Sequence, residues 1–305
     1  APRTASYPFS GTMTRVIPDP QRYVLTLSCP DTTGIVARIT GFLAGLGGWI
    51  TEAAYHSDPE SGRFFTRQAI RADSLPFGAV ELRRRFTAIA AELRADHAVV
   101  TDTAERKRVV LLVSKQGHCL YDLLSRWHAG EMAVDIPLVI SNHATLAPVA
   151  GMFGVPFAHV PVPGDDAGKH AAFDRIAQLT DAETPDAIVL ARFMQVVPSE
   201  LCAAWDGRLI NIHHAFLPSF VGGRPYHQAY ARGVKMIGAT SHYVTAELDS
   251  GPIIAQDVIR VDHTDSVDDM VRRGRDIERA VLAHGLQWHL QDRVLRDGLR
   301  TVVFR

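Results

Sequence analysis

Apolar residues in the first third of the chain follow two different periods. Tyr23 to Leu27 read as an alternating strand, and the apolar residues from Ile35 to Leu46 recur at helical spacing. A strand around Trp49 to His56, a hairpin partner in "RFFTRQAIRA", a helix in "FGAVELRRRFTAIAAELR" and a last strand in "HAVVTDTA" follow. The order βαββαβ predicts a ferredoxin-like domain over residues 21–103.

Beyond the charged stretch "TAERKR" the pattern changes to short, nearly continuous Val/Ile/Leu runs separated by helical segments. Such runs are typical of a parallel sheet covered by helices on both faces. We therefore predict an α/β chain in which residues 104–108 are a linker and residues 109–305 form a Rossmann-like, mostly parallel-sheet domain. Residues 1–20 show no periodicity and are predicted to be a disordered tail.

Composition and charge narrow the classes of function. The 305-residue chain carries 32 Lys and Arg against 33 Asp and Glu, so no nucleic acid or membrane partner is expected. The three cysteines are far apart and no apolar run reaches ~18 residues, which favours a cytoplasmic protein without disulfides or a membrane span. The turn "SKQGHCL" has one glycine and no G-x-G-x-x-G, which argues against a dinucleotide cofactor.

The stretch "LINIHHAFLPSF" places an asparagine and a histidine two residues apart at the end of a predicted strand. Asn211 and His213 then point to the same side, and Asp249 follows in "LDSGPII", at the mouth of another strand. An amide, an imidazole and a carboxylate can together hold an oxyanion and move a proton. Because Asp249 near its usual pKa is a weak base, we expect help from His213 or a pKa raised by burial.

Each of these residues also has a structural explanation. Asn211 could form a turn at the strand end, His213 could be a hydrogen-bonded core histidine, and Asp249 could cap its own turn. The spacing of the three residues favours function. For His242, on the predicted strand "ATSHYV", a structural role is the favoured interpretation. No H-x-x-x-H motif or acidic cluster accompanies the histidines, so no metal is expected.

The segments "NIHHAFLPSF", "GATSHYV" and "LDSGPII" resemble the signature of the folate-dependent formyltransferase family. The resemblance implies that the substrate is 10-formyltetrahydrofolate, that Asn211 and His213 hold the formyl oxygen, and that Asp249 handles protons. It also implies that "VLARFMQVV" lines the folate pocket through Met194, Val196 and Val197. Candidates for a supporting shell or for the acceptor pocket are His214, His227 and Gly251. No cofactor besides this substrate is expected.

The first domain resembles an ACT domain in "SCPDTTGIVARITGFLAGLGGWI" and in the downstream "GRFFTR". The resemblance implies an amino acid effector near the first strand-to-helix turn, at Asp31, Gly34 and Ile35. Capping of the helix by Asp31 or Thr32 is an equally good explanation of the same residues. The edge strands of such a domain can pair between chains, so a homo-oligomer is expected.

The acceptor of the formyl group is the open question. "SKQGHCLYDLLSRW" is bulky where a small, glycine-rich turn would bind a substrate phosphate. With the ACT-like domain in front, the chain resembles the members of this family in which water takes the formyl group and formate leaves. The alternatives are formyl transfer to an amine and a folate or amino acid sensor without turnover.

Overall fold

The structure is a computed structural model that describes residues 20–219 and 225–305. The predicted tail lies outside the described residues except for its last residue. Within these two ranges the strands form a four-stranded, a seven-stranded and a two-stranded sheet. No helix in the described part of the chain is long and apolar enough to cross a membrane.

The first sheet is antiparallel and carries two helices. It consists of β1 (Arg22–Pro30), β2 (Ile50–Asp58), β3 (Arg63–Arg71) and β4 (His97–Asp102), and its helices are α1 (Ile35–Gly45) and α2 (Ala79–Glu92). The strands lie in the order β2-β3-β1-β4. Both helices share an apolar core with the sheet, built around Leu25, Leu27, Ile39, Leu43, Leu82 and Phe86. The predicted ferredoxin-like fold is confirmed.

The turn before α1 is shaped by glycine. Gly34 occupies the helix N-cap with φ 93°, a left-handed conformation that favours glycine, and no side chain caps the helix there. Asp31 instead accepts a hydrogen bond from the Ser57 hydroxyl on β2. The expectation that Asp31 or Thr32 caps this helix is therefore wrong, because Asp31 joins two strand ends.

The second sheet is mostly parallel. Its strands are β5 (Lys107–Val113), β6 (Val134–Ser141), β7 (Phe157–His159), β8 (Ala187–Leu190), β9 (Leu209–His213), β10 (Met236–Tyr243) and β11 (Ile253–Arg260). The helices are α3 (His118–His128), α4 (Ala147–Met152), α5 (Asp166–Ala182), α6 (Ser199–Ala204), α7 (Pro225–Ala231) and α8 (Val267–Leu290). Strands β5 to β9 pair in parallel, whereas β10 and β11 are antiparallel additions. Apolar cores on both faces confirm the predicted Rossmann-like architecture.

The strand order β11-β10-β9-β8-β5-β6-β7 reverses direction at β5. The chain runs from β5 to β6 and β7 on one side and then returns to β8 and β9 on the other. In open α/β sheets, ligands bind beyond the carboxyl ends of the strands beside such a reversal. The segments that follow β8 and β9 therefore begin at the edge of the sheet where a ligand is expected to bind.

A C-terminal hairpin, β12 (Val294–Asp297) and β13 (Arg300–Val303), joins the two sheets. Phe65 of β3 packs with Leu295 and Phe304. Arg67, also on β3, donates from Nε to the Gln291 carbonyl at 3.2 Å. Strand β5 starts at Lys107, inside the predicted linker, since the two residues before Val109 already pair with β6.

Candidate active site

Asn211 and His213 lie on β9, as the sequence predicts, and β10 fixes the asparagine. Asn211 lies opposite His242 in the antiparallel pair of β9 and β10, and Asn211 Nδ2 donates to His242 Nε2 at 3.2 Å. His242 Nδ1 donates to the Tyr243 carbonyl at 2.8 Å, which leaves Nε2 as the acceptor. Burial lowers the pKa of His242 and keeps the ring neutral. One hydrogen of the Asn211 amide is thus held, and the second remains for a ligand.

Asp249 reaches the same point from the loop after β10. Its Oδ2 lies 3.2 Å from His213 Nδ1, and its Oδ1 lies 3.8 Å from His242 Nε2. The residue has φ 54°, a conformation that non-glycine residues rarely adopt. Such strain persists only where surrounding contacts hold it, and it is common at functional sites. The structure therefore brings together the three residues predicted to be catalytic.

The pKa of Asp249 differs from the sequence-based expectation. Burial raises it, but the hydrogen bond and charge of His213, together with His242 and His214, outweigh burial and hold the pKa below its usual value. The expectation that burial raises this pKa is therefore wrong, while the expected help from His213 is present in the geometry. Asp249 is a carboxylate at neutral pH.

His213 is the catalytic candidate with a free ring nitrogen. Its side chain is 5% exposed, and Nε2 is buried without a hydrogen-bond partner among the described residues. A buried polar atom of this kind costs free energy unless a ligand or water satisfies it. Since Nδ1 faces Asp249, Nε2 is the atom available to a bound substrate.

A cavity of about 230 Å³ opens in front of these groups. The loop after β8 supplies one side of it, including the predicted folate-binding residues Met194, Val196 and Val197. The segment after β10 supplies the other side through Val244 and Leu248. Most of the cavity surface is apolar, and its polar groups include the three catalytic candidates and Arg192, as expected for a flat aromatic ligand with one reacting polar end.

The loop after β8 holds its shape through buried contacts. Arg192 and Met194 have φ 65° and 57°, on either side of Phe193. The Phe193 ring is buried edge-on against Phe173, and its carbonyl contacts the Ser114 hydroxyl at the end of β5. The fixed Phe193 places Arg192 inside the protein and leaves Met194 at the mouth of the cavity.

Behind His213 lies a buried charged cluster, which we define as Arg192, Glu278, His118 and Tyr226. His118 Nε2 and the Tyr226 hydroxyl bind the Glu278 carboxylate at 2.8 and 2.6 Å. Arg192 Nε lies 3.5 Å from the same carboxylate. Burial raises the pKa of Glu278, but His118, Arg192 and Tyr226 outweigh it, so the pKa is lowered. The cluster therefore contains a carboxylate and a guanidinium.

The three supporting candidates lie in different places. His214 stands between the catalytic histidine and the cluster, with ring centroids 5.2 Å from His213 and 6.2 Å from Tyr226. Burial, followed by the charge of Arg192, lowers the pKa of His214 to about 3. Gly251 fits tightly, because an added Cβ would come within 1.8 Å of the Tyr243 carbonyl. His227 is exposed on α7 and does not line the cavity.

His118, Cys119 and Glu278 place one ligand atom each within 4.8 Å of one another, a geometry that could hold a metal. The Glu278 carboxylate, however, already binds His118 and Tyr226 and faces the cation of Arg192. Burial raises the pKa of Cys119 well above its usual value, so the side chain is a thiol and a poor ligand. The absence of a metal stays a prediction.

The predicted effector residues lie apart from this cavity, at the start of α1. Ile35 is buried in the core of the first sheet, and Gly34 provides the left-handed turn. Of the three, Asp31 alone offers a polar side chain, and that side chain is bonded to Ser57. An effector at this turn stays a prediction.

Known proteins match both the chain and its fold. A family model described as formyl transferase matches residues 107–286. The formyltetrahydrofolate deformylase of Corynebacterium sp. (strain P-1) is 43% identical over 284 residues, which cover 93% of this chain and 98% of that relative. The chain belongs to the formyltetrahydrofolate deformylase family.

Solved structures separate this deformylase family from its transferase relatives. The crystal structure of a formyltetrahydrofolate deformylase from Pseudomonas syringae pv. tomato has a TM-score of 0.92 and 52% identity, covering 95% of this chain and 96% of that one. The glycinamide ribonucleotide transformylase 1 of Symbiobacterium toebii has a TM-score of 0.62 and 29% identity, covering 67% of this chain and 97% of that one. Similarity to the deformylases thus extends over nearly the whole chain.

The charged cluster and the part played by His242 are not apparent from the sequence of this deformylase family member. The members of the cluster are dispersed between residues 118 and 278, and each is unremarkable in its own segment. His242 offered one signal, since it occupies a predicted strand that can pair with the strand of Asn211. The structure shows that His242 orients the Asn211 amide, so the favoured structural interpretation holds with a consequence for the site.

Proposed function

We propose that this protein hydrolyses 10-formyltetrahydrofolate to tetrahydrofolate and formate. The observation that carries the proposal is the unpartnered Nε2 of His213, which lies beside the Asn211 amide and Asp249 in the cavity lined by Met194 and Val197. The names of the relatives, formyltetrahydrofolate deformylase, support the same reaction.

Asn211 and His213 bind the formyl oxygen. The free Nδ2 hydrogen of Asn211 donates to this oxygen as it becomes anionic, and Nε2 of His213 is the second group that contacts it. The Asp249 carboxylate, 3.2 Å from Nδ1, holds the imidazole ring in this orientation. Donors that are already oriented before substrate arrives need no reorganisation during the reaction, which favours the charged intermediate.

Asp249 handles the proton of the attacking water. Its Oδ2 faces His213, so Oδ1 is the oxygen placed to accept that proton. The water oxygen bonds to the formyl carbon, and the bond from that carbon to N10 then breaks. N10 keeps the electron pair and takes the proton that Asp249 accepted from the water, which releases tetrahydrofolate. The other product leaves as formic acid, which ionises to formate.

Several finer features belong to the same proposal. The reaction uses 10-formyltetrahydrofolate and water and needs no separate cofactor. An amino acid effector at the first domain, a cytoplasmic location and a homo-oligomer are consistent with this role. The oligomer is supported by β2, an edge strand of the first sheet with many exposed residues. A sedimentation mass of one chain at micromolar concentration would contradict it.

Turnover without an amine tests the function directly. Purified protein is incubated with 10-formyltetrahydrofolate and no added amine, and both formate and tetrahydrofolate are measured. The control is Asp249→Asn, because asparagine tolerates the positive φ of this position and removes only the charge. We expect the variant to lose about 10²- to 10⁴-fold in rate.

Two outcomes contradict the proposal in different ways. If the wild type releases no formate but forms a formylated product when amines are added, the protein is a transferase. If wild type and Asp249→Asn release formate equally fast, hydrolysis does not use this site.

A further inference from the structure

Arg192 is a buried cation whose donors are only partly used. Its side chain is 6% exposed, and Nη2 donates to Gln116 Oε1 at 3.1 Å. Nε and Nη1 have no hydrogen-bond partner among residues 20–219 and 225–305. An arginine keeps its charge when buried, so these donors require an acceptor.

Glu278 does not supply that acceptor fully. Its carboxylate oxygens are bound by His118 and Tyr226, and Arg192 Nε stays 3.5 Å away without hydrogen-bond geometry. The carboxylate therefore balances the charge of Arg192 but does not accept hydrogen bonds from its Nε and Nη1 atoms.

Arg192 lies beside the reacting centre. Arg192 lines the same cavity as His213 and His214. With a pKa of about 3, His214 is neutral at neutral pH and does not compete with Arg192 for an anion. A small anion formed next to His213 would thus meet Arg192 as the buried cation on that side of the cavity.

We infer that Arg192 is the binding site for the product formate. The inference rests on the proposed hydrolysis, which converts a neutral formyl group into a carboxylate at this end of the cavity. A planar guanidinium matches a carboxylate in shape and charge, and such pairs form the stronger class of hydrogen bonds. The site would hold formate after the bond to N10 breaks and before formate leaves.

The folate's own carboxylates fit Arg192 less well. The glutamate tail of the substrate is long and charged, and the exposed residues Met194, Val196 and Leu248 mark the side where the cavity opens to solvent. Arg192 lies instead at the buried side, with Gln116 and Glu278. Formate is small enough to remain there.

Direct binding of [13C]formate tests the site without turnover. The dissociation constant is measured by NMR titration with the wild type, Arg192→Met, Arg192→Lys and Arg175→Met. We expect Arg192→Met to bind formate at least about tenfold more weakly, the loss of one charged hydrogen bond. Arg192→Lys keeps the charge and should bind more tightly than Arg192→Met.

Arg175→Met is the matched control. It makes the same change at an exposed arginine on α5 that does not line the cavity, so formate affinity should stay near that of the wild type. Unchanged tetrahydrofolate binding by each variant shows that the cavity is still folded. Formate binding that is equally tight in the wild type and Arg192→Met would overturn the inference, as would no saturable binding by the wild type.

The two proposals fail separately. Formate release from 10-formyltetrahydrofolate together with Arg192-independent formate binding would reject the formate site and leave the hydrolase intact. A wild type that releases no formate would reject the hydrolase, and the formate site with it, whatever the titration shows.

Discussion

The active site has two walls of opposite character that meet at His213. The apolar wall consists of Phe193, Met194, Val196, Val197, Val244 and Leu248, and it faces the cavity. The charged wall is the buried cluster of Arg192, Glu278, His118 and Tyr226. The apolar wall suits the folate ring system, whereas the charged wall suits the group that is cut from it.

The difference between the walls shows that the folate ring and the one-carbon product are bound by different kinds of interaction. A flat, largely apolar ring gains most from area removed from water, about 25 cal/mol per Å². A one-carbon product has almost no area, so its binding must come from charge and hydrogen bonds. The loop after β8 contributes to both kinds of binding, since Arg192 points inward while Met194 lies at the mouth of the cavity.

The largest expected effect is at Asn211, beside His213 where the walls meet. Asn211→Ala removes the amide that we propose donates to the formyl oxygen, and we expect kcat to fall by about 10²- to 10³-fold with little change in KM. Steady-state kinetics with 10-formyltetrahydrofolate measure both constants. The matched control is His227→Ala, because His227 is exposed on α7 and outside the cavity. A loss of less than about tenfold for Asn211→Ala would remove the assigned role.

The two walls also differ in how far sequence alone reveals them. Met194, Val196 and Val197 of the apolar wall lie in one segment after β8, so the resemblance of "VLARFMQVV" to a family segment was enough to predict them. Asn211, His213 and Asp249 could be found because their spacing matches a known signature. The fold class could be read from the change from a βαββαβ order to parallel runs.

The charged wall could not be read in this way. Its members come from α3, the loop after β8, α7 and α8, and only packing of these elements brings them together. A glutamate inside an amphipathic helix is normally solvent-exposed, yet Glu278 faces inward. The direction in which the pKa of Asp249 shifts could not be predicted from the sequence either, because it depends on which neighbours lie within a few ångströms.

The second largest effect concerns the free energy of unfolding. It tests whether His214, which lies between the two walls, is neutral. Its pKa is about 3 in the folded state, against 6.5 for an ordinary histidine. Between these two values the unfolded chain binds a proton at His214 that the folded chain does not bind. The contribution of His214 to the free energy of unfolding is therefore full above pH 6.5 and decreases as the pH falls towards about 3.

Urea unfolding at pH 7.5 and pH 5 measures this contribution. We expect the wild type to lose more stability between these pH values than His214→Asn, by about 2 kcal/mol, since one proton contributes ~1.4 kcal/mol per pH unit. His227→Asn is the control, because this exposed histidine should leave the pH dependence unchanged. Equal losses in wild type and His214→Asn would mean that His214 is protonated beside Arg192.

The smallest expected effect is on the apolar wall. Val196 is 57% exposed at the cavity mouth, so a bound folate can cover a surface that is open in its absence. Val196→Ala should raise KM about twofold to fivefold, because part of about 1 kcal/mol of apolar contact is lost. The change should leave kcat nearly unaltered, since Val196 lies at the exposed mouth of the cavity. Val80→Ala provides the control, because Val80 is 75% exposed on α2, outside the cavity.

A fall in kcat with an unchanged KM would contradict the assignment of the apolar wall to binding alone. Loss of an apolar contact at the cavity mouth would then affect the bond that reacts.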